Sequence, residues 1–181
     1  MNDYRIFVGA FPTGELAERI QAIRLRYDSK TAHITAPHVT LAGTYWRSGP
    51  PTPKNEASTI ARLRELESVL QPFDLVLGGI QSFLPQTPVI YLQVERTAEL
   101  LATRQALVAT LGPDKHQRFT PHLTLTQRLS LPETQTLLDQ LQHSEWHTGR
   151  WSVRIEQVWL MQRGSADPAW RAIQSIRLGS K

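Results

Sequence analysis

The sequence predicts an α+β fold built from two similar lobes. Three observations predict it. Segments with strand and helix signatures alternate along 181 residues. Two five-residue signatures, Pro37-His38-Val39-Thr40-Leu41 and Pro121-His122-Leu123-Thr124-Leu125, share one pattern and sit in opposite halves. Each follows the same order, a strand and then a helix. That order predicts a duplicated α+β unit with a pseudo-two-fold relation between its halves.

Tyr4 to Phe11 is apolar and β-prone, and Pro12-Thr13-Gly14 breaks it. Thr13 is placed to cap a helix to Tyr27, with Leu16, Ile20, Ile23 and Tyr27 at helical spacing. His38 to Tyr45 alternates and predicts a strand. Gly49-Pro50-Pro51-Thr52-Pro53 is a loop. Lys54 to Leu70 predicts a second helix, with Ile60, Leu63, Leu66, Val69 and Leu70 towards the core. Phe73 to Phe83 and Val89 to Val94 predict paired strands around Pro85-Gln86-Thr87-Pro88, with Gly78-Gly79 a bulge or turn. Thr97 to Leu111 is a third helix, closed by Gly112-Pro113. His122 to Thr126 is the second motif strand. Pro132 to Gln142 is a helix with proline in its first turn. Trp151 to Met161 and Ala172 to Leu178 are the closing strands.

Bulk composition narrows the function classes. The length fits one domain over 1–181, large enough to bury a core without staples. With no cysteine, disulfides, thiolate metal sites and cysteine nucleophiles are excluded. The first residues lack the pattern of a signal peptide, and no apolar run reaches the ~20 residues that cross a bilayer. A cytoplasmic protein without membrane contact is therefore expected. Net charge is +4, with no dense basic run to track a long nucleic acid. Arginine outnumbers lysine sixteen to four. Arginine suits bidentate phosphate contacts, although composition bias accounts for most of this excess.

The motif spacing carries the chemistry. Residues two apart on a strand point to one side. His38 and Thr40 therefore share one face, and Val39 and Leu41 the other. His122 and Thr124 repeat the arrangement against Leu123 and Leu125. The apolar pairs anchor each strand, and the polar pairs face a common cleft. A histidine titrates near neutral pH, at a pKa of about 6.5. One imidazole can take a proton from water while the other gives one to a leaving oxygen. The threonine hydroxyls can hydrogen-bond non-bridging phosphate oxygens as charge builds. His33-Ile34-Thr35 also fits His-x-Thr, but lacks the flanking proline and leucine. It reads as loop or strand entry. His33, His116, His143 and His147 read as surface histidines. The last two sit near a helix end, where a cation offsets the dipole. The sequence carries no His-Glu-x-x-His, no clustered acids, no Gly-rich phosphate loop and no Gly-x-Ser-x-Gly elbow. No cofactor or metal is expected.

On these motifs the chain resembles the two-histidine (2H) phosphoesterase superfamily. It is most similar to the LigT-like group of RNA 2′,3′-cyclic phosphodiesterases, also called 2′-5′ RNA ligases. Tyr4-Arg5-Ile6-Phe7-Val8 resembles that family's opening strand. Phe73 to Tyr91 resembles its central segment, and Phe119-Thr120-Pro121-His122 the approach to its second motif. The resemblance implies a bilobal fold, two antiparallel sheets flanking a central cleft with helices outside. It implies metal-independent hydrolysis of a 2′,3′-cyclic phosphate to a 2′-phosphomonoester, at RNA ends or on nucleotides. His38 and His122 would be catalytic, His38 as acid on the departing 3′ oxygen and His122 as base on water. Thr40 and Thr124 would bind substrate. This chain departs from the family where Ala42-Gly43-Thr44-Tyr45-Trp46 replaces an apolar-Phe-Leu-Gly stretch. It also has Thr126-Gln127 before Arg128, where relatives place the basic residue earlier.

Two other activities share such a site: 2′-5′ RNA ligation, and opening of ADP-ribose 1″,2″-cyclic phosphate. A non-catalytic RNA-end-binding module is a third reading. In it Arg47, Arg118 and Arg128 grip phosphate, and Tyr45, Trp46 or Phe119 stacks a base, although Phe119 equally fits a core role. A monomer is expected.

Overall fold

The structure is a computed structural model and describes residues 3–114 and 118–179. His116 lies outside the described residues. In chain order the elements are β1 (Asp3–Ala10), α1 (Gly14–Tyr27), α2 (Ser29–Ile34), β2 (Val39–Ser48), α3 (Ala57–Arg64), β3 (Phe73–Ser82), β4 (Ile90–Val94), α4 (Ala98–Leu111), β5 (His122–Thr126), α5 (Leu131–Gln142), α6 (Glu145–Thr148), β6 (Arg150–Ile155), β7 (Gln157–Gly164) and β8 (Arg171–Arg177). The strands pair antiparallel in the order β6-β3-β4-β5-β2-β1-β7-β8.

The two sheets implied by the resemblance are the two four-stranded halves of this one sheet. They meet where Val39 of β2 pairs with Leu123 of β5. In each half the motif strand lies innermost, beside the strand that precedes it: β1 beside β2, and β4 beside β5. The intervening helix crosses to the other half. Thus α1 packs on β5, and α4 packs on β2. The arrangement is consistent with a duplicated unit whose halves interlock. Val39, Leu41, Leu123 and Leu125 are fully buried, while His38, Thr40, His122 and Thr124 are half-buried. The period-two alternation therefore puts hydrocarbon behind each motif and polar groups in front.

Three expectations need correction. The segment expected as one strand from Trp151 to Met161 is two. β6 pairs with β3 at one edge, and after Glu156 the chain enters the other half as β7 beside β1. A continuous apolar-polar pattern hides such a crossing. The helix expected over Lys54–Leu70 is a 3₁₀ turn at Pro53–Glu56 followed by α3, which ends at Arg64. The chain then turns, with the amides of Val69 and Leu70 both donating to the Leu66 carbonyl. That leaves Leu70 buried but Val69 65% exposed, outside the core. The helices α2 and α6, six and four residues long, lie below the length at which apolar periodicity is visible. His33 falls on α2, its Nδ1 2.6 Å from the Ser29 carbonyl oxygen.

Candidate active site

The Val39–Leu123 pair sets the geometry of the motifs. In an antiparallel register the residues flanking it lie crosswise, His38 beside Thr124 and Thr40 beside His122. The two histidines are then diagonal neighbours on one face, about 7–8 Å apart at the backbone. Their rings can reach towards one small group between them.

Both rings are held in the same way. Nδ1 of His38 lies 2.9 Å from the carbonyl of Ala36, and Nδ1 of His122 lies 2.7 Å from that of Thr120. A carbonyl accepts only, so each Nδ1 carries the proton and donates it. In that tautomer Nε2 is the ring nitrogen that carries the acceptor lone pair. The His38 ring also stacks against Phe7 and Phe11, at 4.9 and 5.2 Å between centroids. Gly9 lies between them in sequence, and a Cβ there would meet the Phe7 ring at 2.9 Å. A side chain at that position would displace the shelf on which His38 rests. His122 is flanked by Phe83 edge-on at 5.0 Å and by Tyr91 at 5.2 Å. Burial drives the pKa of His38 down to about 4, with Arg24 and His122 lowering it further and the Ala36 bond opposing. The resting His38 is therefore neutral at neutral pH.

A cleft of about 650 Å³ joins both motifs, lined by His38, Thr40, His122 and Thr124. Arg5, Arg24, Arg128 and Arg163 also line it, and among the described residues no carboxylate does. Arg24, on α1, is 1% exposed. One terminal nitrogen donates to Gln21 Oε1 at 2.7 Å and the other to the Thr31 carbonyl at 3.3 Å. Its Nε makes no hydrogen bond among the described residues. Burial lowers its pKa to about 10, with Asp28 opposing, so the guanidinium stays charged. A buried cation without an ion pair is costly, and an anion in the cleft would offset that cost.

Asp28 is the hinge of this wall. Its Oδ1 accepts from the Thr31 amide, and its Oδ2 accepts from the Thr31 hydroxyl and the amides of Gln127 and Arg128. One buried carboxylate thus ties the start of α2 to the loop after the second motif. It also orients Arg128, which reaches the cleft.

The other residues singled out in the sequence divide. Arg118 and Phe119 line a smaller slot of about 320 Å³ that shares Thr40, Gly43 and His122 with the cleft. The Phe119 ring packs on the core and carries the Arg104 guanidinium at 4.7 Å. Tyr45 does not face the cleft. It lies opposite the fully buried Ile6, and its hydroxyl donates to the Gly112 carbonyl at 2.9 Å. Trp46 lies opposite Arg5 and is 66% exposed, beyond the residues that line the cleft. Arg47 lies 3.6 Å from buried Glu56. His147 is not a surface dipole partner. Its Nδ1 accepts from the Ile80 amide at 3.2 Å, where Gly78-Gly79 break the β3–β4 register. His143 does end α5, with Nδ1 2.6 Å from the Asp139 carbonyl.

Comparison with known proteins bears on the family. The 2′-5′ RNA ligase superfamily matches residues 12–167. The chain belongs to that superfamily. A Bacillus cytotoxicus protein named, provisionally, a phosphoesterase is 28% identical over 171 residues, 93% of this chain and 94% of its own. The crystal structure of E. coli LigT in its apo form superposes with a TM-score of 0.66 at 18% identity, over 99% of this chain and all of LigT. That likeness shows a shared fold. LigT has also been crystallised with phosphate, 3′-AMP and ATP. A Thermus thermophilus protein gives 0.64 at 18% identity, over 98% of this chain and 99% of its own.

Within this superfamily member, sequence reasoning missed Arg5, Phe7, Arg24, Asp28, Arg163 and Trp170. Arg24 had one visible signal. It sits one residue from Ile23 in the helical pattern, where a charge borders the apolar stripe. Nothing in the sequence links Trp170 to His38, because that contact runs through Phe7 at 4.7 Å.

Proposed function

We propose that this protein hydrolyses 2′,3′-cyclic phosphates, at RNA ends or on nucleotides, to 2′-phosphomonoesters. The observation that carries the reading is the crosswise placement of two His-x-Thr pairs on one cleft, each ring held through Nδ1 by the carbonyl two residues upstream. The nucleotides crystallised with E. coli LigT support a phosphate-bearing ligand for this fold.

In this reading Arg24 and Arg128 bind the non-bridging oxygens, with the hydroxyls of Thr40 and Thr124. Nε2 of His122 takes a proton from water, and the water oxygen bonds to phosphorus. The bond from phosphorus to O3′ breaks, and protonated His38 delivers its Nε2 proton to O3′. The product is a 2′-phosphate with a free 3′-hydroxyl. Positioned acid–base groups of this kind contribute about 10²–10⁴-fold each. His38 rests neutral, so its acid role requires a proton taken up with the substrate. A bound phosphate anion beside the ring favours that protonated form.

The test is product analysis with cyclic-ended RNA in excess chelator. A 2′-phosphate end is expected from the wild type. No product with any cyclic phosphate would end the proposal, and activity that disappears on chelation would end its metal-independent form.

A further inference from the structure

A row of three side chains crosses the first half of the sheet beside the cleft. Trp46 of β2, Arg5 of β1 and Arg163 of β7 are consecutive cross-strand neighbours. Arg5 precedes Phe7 by two residues, so it shares the face on which Phe7 stacks against His38. The Arg5 guanidinium lies 5.2 Å from the Trp46 ring centroid and 5.4 Å from that of Trp170. Arg5, Arg163 and Trp170 all line the cleft that holds both histidines.

Like charges directly opposite one another destabilise a strand pair. Among the described residues neither arginine forms an ion pair. Two acids lie near in sequence, Asp3 and Asp167. Asp167 spends its Oδ2 on the Gly164 amide at 2.7 Å, and Arg163 Nε donates only to the Asp167 main-chain oxygen at 3.1 Å. Asp3, two residues from Arg5, makes no ion pair with it. The Arg5 pKa is lowered by burial first and by Arg163 second. The indole faces beside Arg5 attract the cation but carry no charge to neutralise it. An uncompensated pair of guanidiniums on a cleft wall fits an anion supplied by the ligand.

In the proposed function Arg24 and Arg128 meet the reacting phosphate. We propose that Arg5 and Arg163 form a second phosphate subsite, which holds a phosphate about one ribose away from the reacting phosphorus. This rests on reading the cleft as a cyclic-phosphate site. One two-residue step along β1, roughly 6.7 Å, separates Arg5 from Phe7, whose ring stacks on His38. That step is comparable to one nucleotide of backbone. The subsite therefore selects substrates that carry two phosphate groups. The second is either the phosphodiester upstream of a cyclic RNA end or a pyrophosphate attached to a cyclic-phosphate ribose.

The experiment compares kcat/KM for a nucleoside 2′,3′-cyclic phosphate, a dinucleotide ending in the same cyclic phosphate, and ADP-ribose 1″,2″-cyclic phosphate. The enzymes are the wild type, R5Q, R163Q and, as a surface control, R154Q. The expected result is a preference for a two-phosphate substrate over the mononucleotide that falls about 10–100-fold in R5Q and in R163Q, carried by KM, with R154Q like the wild type. Whichever two-phosphate substrate loses more identifies the source of the second phosphate. A preference that survives both substitutions within about twofold overturns the subsite. Thermal melts check that each variant folds. If the wild type opens none of the three, the proposed function has failed and binding decides the subsite alone. Calorimetry then compares a nucleoside 2′,5′-bisphosphate with the 2′-monophosphate. Tighter bisphosphate binding that is lost in R5Q/R163Q supports the subsite, and equal affinities overturn it.

Discussion

His38 and His122 are restrained by the same local bond, Nδ1 to the carbonyl two residues upstream, on Ala36 and on Thr120. The proline before each histidine makes this possible. It lacks an amide hydrogen and holds the preceding residue extended, which leaves that residue's carbonyl for the imidazole. Both rings are therefore expected as Nδ1–H tautomers. Nitrogen-15 shifts of the two imidazoles check this. An Nε2–H tautomer at either position would contradict the assignment of Nε2 as the reacting atom.

The depressed pKa of His38 has a stability consequence. Its unfolded pKa is about 6.5 and its folded pKa about 4, so the unfolded chain binds more protons between those values. Stability is then fully present above about pH 6.5, falls as the pH drops, and stops falling below about pH 4. Urea melts from pH 7 to pH 4 should show this slope, and His38→Gln should flatten it. An equal slope in the variant would show that other groups carry it.

Substrate binding should draw a proton onto His38. Calorimetric titration of a nucleoside 2′-phosphate at neutral pH, in buffers of different ionisation enthalpy, measures this. Net uptake is expected in the wild type, and much less in His38→Gln. Zero uptake in the wild type would contradict His38 as the acid of the proposed step.

Arg24 is expected to cost stability and to supply binding. Arg24→Met removes a buried charge that makes no ion pair among the described residues, which offsets the loss of its hydrogen bonds to Gln21 and the Thr31 carbonyl, and keeps much of the hydrocarbon stem. The melting temperature should hold or rise, while kcat/KM falls about 10–100-fold through loss of a charge-assisted phosphate contact. Unchanged kcat/KM would remove Arg24 from the site.

Asp28→Ala should lower both stability and activity. Four donors lose their acceptor, and the loss of a buried hydrogen-bond network of this kind costs about 2–4 kcal/mol. Denaturant midpoints measure the first effect and KM the second. A variant with normal KM would show that the Gln127–Arg128 loop positions itself without Asp28.

Much of the sheet and both motifs were legible because period-two alternation is local. Val39, Leu41, Leu123 and Leu125 are buried as their spacing requires. The antiparallel pairing of β3 with β4 and the Gly78-Gly79 irregularity followed from turn and bulge residues. What stayed hidden is non-local. Glu156 sends the chain from one half of the sheet to the other within a seemingly continuous strand. Tyr45 faces the core because it pairs with Ile6, a partner fixed only by register. The arginine wall draws on β1, α1, β7 and the loop after β5, so no motif could contain it.

The claim on which everything turns is that His38 and His122 act on one phosphorus as a unit. A double-mutant cycle on cyclic-phosphate turnover, with His38→Ala, His122→Ala and the pair together, tests it most directly. Residues that act together are strongly non-additive. The double variant is therefore predicted to be about as slow as the slower single variant. Losses that multiply independently, or a double variant with wild-type turnover, would contradict a shared centre.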